Sequence, residues 1–182
     1  VRASGAGTLW LNESTVDTAS IGRRFEDLTT HLHNLTVAGE ASSTRGIVLM
    51  AGTHTMLGVD VQRPYDAADG SSIGVESIWA AVSGTDLTLR GFSTSVLSER
   101  STIDLEELVA EDGATAGLDV RGGVVHVDEL RTRVSANGAH VSENGLLRIG
   151  SWTSTFHSQP LRLATEAQAI IRTWAPGTTQ GD

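Results

Sequence analysis

Residues 94–174 read TSVLSERSTIDLEELVAEDGA from Thr94, TAGLDVRGGVVHVDELRTRVSA from Thr115, NGAHVSENGLLRIGSWTSTFHS from Asn137 and QPLRLATEAQAIIRTW from Gln159. Written one under another, these segments align at a spacing of 22 residues. Ile103, Val125, Leu147 and Ala169 fall in one column, Leu105, Val127, Ile149 and Ile171 in a second, and Leu108, Leu130, Trp152 and Trp174 in a third. All twelve positions are apolar in a chain whose apolar content is 39%. Chance gives that with a probability on the order of 10⁻⁵ before register choice is counted, so the period is a structural repeat.

Inside each repeat the apolar residues alternate, as in Ile103-Asp104-Leu105 and Val125-His126-Val127. That is the period of a strand with one buried face. A shorter alternating run precedes it in Leu118-Asp119-Val120, Ala139-His140-Val141 and Leu161-Arg162-Leu163. Turn residues such as Arg121-Gly122-Gly123 and Ser142-Glu143-Asn144-Gly145 separate the two. Each repeat therefore reads as one coil of two or three short strands. Stacking coils at strand spacing, about 4.8 Å, sets equivalent residues directly above one another.

Working outward toward the N-terminus, Leu35-Thr36-Val37, Val59-Asp60-Val61 and Leu87-Thr88-Leu89 align with the main strand at spacings of 24 and 28 residues. Ile47-Val48-Leu49 and Ile73-Gly74-Val75 align with the preceding one. The extra length falls at Pro64–Ser72, a loop leaving the stack. Residues 1–31 are expected to form a cap, with Leu9-Trp10-Leu11 a possible strand and Val16–Leu28 a capping turn or short helix. Residues 32–174 form the repeat body and 175–182 a tail.

The segments HNLTVAGEASSTRGIVLMAGTHTMLGVDVQRP (from His33) and IGVESIWAAVSGTDLTLRGFSTS (from Ile73) resemble the coils of right-handed, single-stranded parallel β-helices of the pectin-lyase-like superfamily. The resemblance lies in the cadence L-T-V-x-G, G-I-x-L, V-x-V and implies an all-β solenoid. It implies function less directly, because that superfamily includes polysaccharide lyases, glycoside hydrolases, adhesins and phage tail spikes. Of the motifs its hydrolases share, N-T-D, D-D, G-H-G and R-I-K, none occurs here. The nearest remnant is Ala68-Asp69-Gly70.

Composition narrows the chemistry. With 182 residues and no Cys, the chain has material for one packed domain but no disulfide, thiolate ligand or cysteine nucleophile. Net charge is −9, and the 13 basic residues are all Arg, scattered singly apart from Arg23-Arg24, so no cationic stripe exists for nucleic acid. No apolar run is long enough to span a bilayer as a helix. The chain opens with Val1 directly into patterned sequence, as expected of a piece of a longer product.

Between the buried columns, outward positions should stack as Asp104, His126, Arg148 and as Glu106, Asp128, Gly150, with Glu107, Glu129 and Ser151 beside them. Acids in register on neighbouring coils lie about 5 Å apart, the separation of a retaining glycosidase pair. Asp104, Glu106, Asp128 and Glu129 are thus the catalytic candidates, with the Asp66–Asp69 loop as the other acidic place and a solvated face as the plainer reading. The acids lack the spacing of a calcium loop, and His31-x-His33 shares a strand face but has no evident third ligand. No metal or organic cofactor is expected. Arg162, Arg172 and Ile170 near the last coils suggest a subunit contact, since an outward Ile is out of place in a polar column. The resulting expectation is a structural and receptor-binding module of an elongated appendage, most like a phage tail spike or minor tail protein. It would be homotrimeric, in contact with other appendage proteins, located on a virion tail or cell surface, and would recognise surface polysaccharide or another host receptor. A polysaccharide lyase or glycoside hydrolase is the alternative.

Overall fold

The computed structural model describes residues 2–18, 21–40, 44–64, 70–134, 136–155 and 158–176. The first eight strands are β1 (Arg2–Ser4), β2 (Thr8–Asn12), β3 (Thr15–Thr18), β4 (Ile21–Glu26), β5 (Thr29–His33), β6 (Thr36–Gly39), β7 (Arg45–Met50) and β8 (Thr53–Gln62). They are followed by β9 (Ile73–Ile78), β10 (Ala81–Arg90), β11 (Thr94–Gly113), β12 (Ala116–Val134), β13 (Asn137–Ser142), β14 (Leu146–Thr155), β15 (Gln159–Leu163) and β16 (Gln168–Pro176). Among the described residues there is no helix, and every pairing is parallel.

The pairings sort into three faces, each a ladder of eight rungs. The first face runs β1, β4, β7, β9, then the opening segments of β11 and β12, then β13 and β15. The second runs β2, β5, then the first parts of β8 and β10, the middles of β11 and β12, and the first parts of β14 and β16. The third runs β3, β6 and the closing segments of β8, β10, β11, β12, β14 and β16. The chain is a parallel β-solenoid, and its long strands bend across faces because one strand can serve consecutive ladders.

The columns anticipated from the 22-residue spacing are present. Ile103, Val125, Leu147 and Ala169 pair in sequence, as do Leu105, Val127, Ile149 and Ile171, and Leu108, Leu130, Trp152 and Trp174. From Ile103 to Trp152 the members of these columns are almost wholly buried. The N-terminal half stacks differently from its expected alignment. Leu87 pairs with Leu108 and Leu89 with Ala110, and Val59 and Val61 pair with Leu87 and Leu89, so these runs lie on the third face rather than beneath Ile103 and Leu105. The second face there is built by Thr30, His54 and Val82 and by Leu32, Met56 and Gly84, whose polar and glycine members hid the column. The spacings of 24 and 28 residues hold on the third face, in Val37 to Val61 and Val59 to Leu87, whereas on the first face Ile47 pairs with Val75 rather than with Ile73.

Val16–Leu28, expected as a capping turn or short helix, instead contains β3 and β4, and the parallel ladder begins at Arg2. The alternation there was masked by Arg23, which pairs with Ile47 in a column of inward residues.

Two corner devices close each coil. Between the first and second faces, Asp27, Ala51, Trp79 and Arg100 adopt φ of 56°, 52°, 55° and 50°, and Gly122 follows at 68°. This left-handed conformation costs an L-residue about 1–2 kcal/mol. It persists because the corner N–H groups of Asp27, Ala51 and Trp79 donate to the carbonyls of Met50, Ile78 and Glu99 on the next coil. Between the third and first faces stands a column of Gly22, Gly46, Gly74, Ser95 and Gly117. A Cβ on Gly46 would lie 2.4 Å from Val61 Cγ1 and 2.5 Å from the Gly74 carbonyl oxygen. Space, rather than backbone torsion, makes this column small.

Candidate functional site

The outer side of the second face carries most of the residues singled out from the sequence. Along it, one outward column runs Trp10, His31, Thr55, Ser83, Asp104, His126, Arg148, Ile170, each pairing with the next. A groove of about 480 Å³ opens at its C-terminal half, bounded by Asp104, Val124, His126, Arg148, Ile170 and Arg172.

His126 is the centre of the acidic part. Its Nδ1 lies 3.0 Å from Asp104 Oδ1 and its Nε2 3.3 Å from Asp128 Oδ1. The first contact is a hydrogen bond and the second a contact of distance alone. The carboxylates are 70% and 65% exposed, which leaves them screened by water and open to a ligand.

The other two candidates have different surroundings. Glu129 accepts from Arg131 at 2.6 and 3.1 Å, and the same guanidinium stands 3.3 Å from Glu107. These contacts hold the Arg131 guanidinium above its ordinary pKa, the hydrogen bond to Glu129 contributing most. Glu106 is exposed and makes no hydrogen bond or ion pair among the described residues. Pairing of Leu105 with Val127 and of Glu107 with Glu129 puts Glu106 and Asp128 on neighbouring coils, as expected. Asp128, however, turns to His126. Of the four acids, Asp104 and Asp128 thus stand beside an imidazole, Glu129 beside a guanidinium and Glu106 in open solvent.

Asp66–Asp69 lies outside the described residues, and with it the Asp of Ala68-Asp69-Gly70. His31 stacks on Trp10 with ring centroids 3.8 Å apart and planes 17° from parallel. No group of three His, Asp or Glu residues able to hold a metal is found among the described residues. Trp152 is in the core, where its Nε1 donates to Thr132 Oγ1 at 2.9 Å; Trp174 stacks on it at 5.4 Å with its outer side exposed.

Two polar arrangements were missed in the sequence. His54 is fully buried on the second face. Its Nε2 lies 2.6 Å from the Ala51 carbonyl and its Nδ1 2.9 Å from Thr30 Oγ1. A carbonyl only accepts, so Nε2 carries the proton and Nδ1 accepts from the threonine. Burial lowers the pKa of this ring, and the bond to Ala51 partly opposes that. On the first face, Asp119 accepts from Arg121 at 2.8 and 3.0 Å and stands 3.0 Å from His140 Nδ1. Arg162 follows His140 in register. Asp119, His140, Arg162 repeats the order Asp104, His126, Arg148 on another face, and the spacing of 21 or 22 residues was the available signal.

The chain matches no protein-family model, no curated protein and no solved structure at a significant level.

Proposed function

We propose that this β-solenoid is a structural and binding module of an elongated surface appendage, on a virion tail or cell surface, and that the outer side of its second face holds a polysaccharide. The single observation behind this reading is the unbroken outward column from Trp10 to Ile170. Seven steps of strand spacing make it about 34 Å long. It offers the chemistry a sugar chain uses: an aromatic stack at Trp10 and His31, the hydroxyls of Thr55 and Ser83, then carboxylate, imidazole and guanidinium groups. A solenoid face fixes such groups on paired strands, so little order is lost on binding. Three copies side by side would present the column three times, which adds avidity without new contacts.

A second reading, a polysaccharide lyase or hydrolase, is favoured by one feature: Asp104 and His126 line the groove together with Arg148 and Arg172, and Asp128 stands 3.3 Å from the imidazole. Glycan-array binding, followed by reducing-end and unsaturated-uronide assays on the glycans retained, separates the two. Binding without product, weakened several-fold by Trp10→Ala and by Arg148→Ala, is the expected result. Product that disappears in Asp104→Asn with Asp128→Asn would transfer the assignment to the enzyme. Absence of binding to any surface glycan would remove the recognition role, and a monomer in sedimentation would remove the trimer.

A further inference from the structure

The corner between the first and second faces carries a side chain that packing does not use. Trp79 adopts a φ of 55°, rare for a bulky residue, and is 63% exposed. Asp27, Ala51, Arg100 and Gly122 take the same left-handed turn on other coils, so the corner requires neither an aromatic ring nor its size. Among the described residues nothing hydrogen-bonds to the indole N–H.

The backbone beneath the indole is fixed. Trp79 N–H donates to the Glu99 carbonyl at 3.0 Å. Below it, the hydroxyl of buried Ser101 accepts from Ala80 N–H at 3.1 Å and from Ser77 Oγ at 3.0 Å, and donates to the Glu99 carbonyl at 3.1 Å. One donor and two acceptor sites are all that a hydroxyl has, so the corner is fully tied down. Strained backbone held by its surroundings in this way collects at ligand sites.

Beside the indole lies a cavity of about 180 Å³ lined by Trp79, Glu99, Arg100, Arg121 and Glu143. The Arg100 guanidinium stands over the Trp79 ring, 5.0 Å from its centroid. Arg121 is held by Asp119 at 2.8 Å and lies 3.5 Å from Glu99, while Glu143 is exposed and makes no hydrogen bond among the described residues. This lining selects the ligand. Two carboxylates stand against two guanidinium groups, so neither an anion nor a cation meets a wall of opposite charge. A cationic ligand on the indole would also meet Arg100, which already uses the attraction of that ring. The cavity is smaller than the roughly 300 Å³ at which sites for drug-sized ligands begin, so it takes one ring. The chemistry left is a neutral ring with an apolar C–H face and a rim of hydroxyls.

We propose that this corner is a saccharide site for a single neutral pyranose ring, stacked by its C–H face on Trp79. The ring hydroxyls donate to Glu99 and Glu143 and accept from Arg100 and the indole N–H. Because the indole and its backbone are already in place, little order is lost on binding. The site is distinct from the outward column of the second face and does not need a glycan to bind there.

The test uses the full chain carrying fluorotryptophan, whose four indoles, Trp10, Trp79, Trp152 and Trp174, report separately by fluorine NMR. The probes are the methyl glycosides of glucose, galactose, mannose and N-acetylglucosamine, with glycerol and phosphocholine as controls. At least one glycoside is expected to move the Trp79 resonance saturably at millimolar concentration and to leave that of buried Trp152 in place. Glu143→Ala should weaken this binding about tenfold, the loss of a hydrogen bond to a charged group. Trp79→Gly, which suits the left-handed turn and should keep the unfolding midpoint, should abolish saturation transfer from the protein to the same glycoside. A Trp79 resonance that no glycoside moves, or that glycerol moves as far, would overturn the proposal. So would a stronger response to phosphocholine, which would make the corner a site for a charged headgroup. A response of Trp10 with Trp79 silent would leave the second face as a glycan site and remove the corner, and the converse would support the corner alone.

Discussion

Gly46 shows how one residue type sets the cross-section of this solenoid. The atoms nearest to a Cβ at this position include a backbone carbonyl of the next coil and a core methyl, so neither can swing away. Gly46→Ala is expected to destabilise the chain by about 2 kcal/mol or more, the range for overpacking a filled core, measured as a lowered urea midpoint. Gly70→Ala, with nothing within 4 Å among the described residues, should leave the midpoint unchanged. His54 is a second residue-scale case. Its folded ring holds a proton less well than the free ring of pKa 6.5, because burial disfavours the charge. In the unfolded chain it takes up a proton below about 6.5, so the contribution is fully present above that value and is lost as pH falls through the lower folded value. His54→Gln should therefore flatten the loss of unfolding free energy on acidification from pH 7 to 5, by up to about 1.4 kcal/mol per pH unit. An unchanged slope would mean that the buried ring is not what resists protonation.

At the scale of the element, the C-terminal strands were legible and the N-terminal ones were not, for a reason particular residues make plain. Ile103, Val125 and Leu147 repeat an aliphatic type at constant spacing, so sequence alone reveals their column. Thr30, His54 and Val82 occupy the same column by satisfying polar groups internally or filling a smaller space, which no hydropathy pattern records. Arg23 broke the alternation of β4 in the same way. The candidate site was half legible: outward stacking placed Asp104 beside His126, yet which acid each basic group would choose depends on side-chain torsions that spacing does not fix. β16 carries its own prediction. Trp174 anchors it by stacking on Trp152 and by donating from Nε1 to Ser154 Oγ at 2.9 Å. Trp174→Ala should speed amide exchange in residues 168–176 by roughly tenfold, the effect of losing an aromatic pair and its hydrogen bond, and leave β8 and β10 protected as before.

For the whole molecule, the decisive property is that each coil touches only its neighbours, so stability is a sum of coil terms and nearest-neighbour interfaces. Continuous aliphatic columns make those interfaces strong in β11, β12 and β14, which is why the intact chain should unfold as one unit despite its linear build. Val127 is the point where that coupling can be cut: it is fully buried between Leu105 and Ile149, with no polar group of its own column to receive a charge. Val127→Asp puts an unpaired carboxylate into that column, at a cost of several kcal/mol, about 3 or more. A cost of this size at one coil exceeds what a single interface returns, so the coils on either side should separate energetically. Urea unfolding followed by hydrogen exchange should then split into two transitions, residues 137–176 exchanging first and β7 to β10 later, whereas the parent should show a single transition. A single, merely weakened transition in the variant would show that cooperativity extends beyond neighbouring coils, and the additive description of this solenoid would have to be given up.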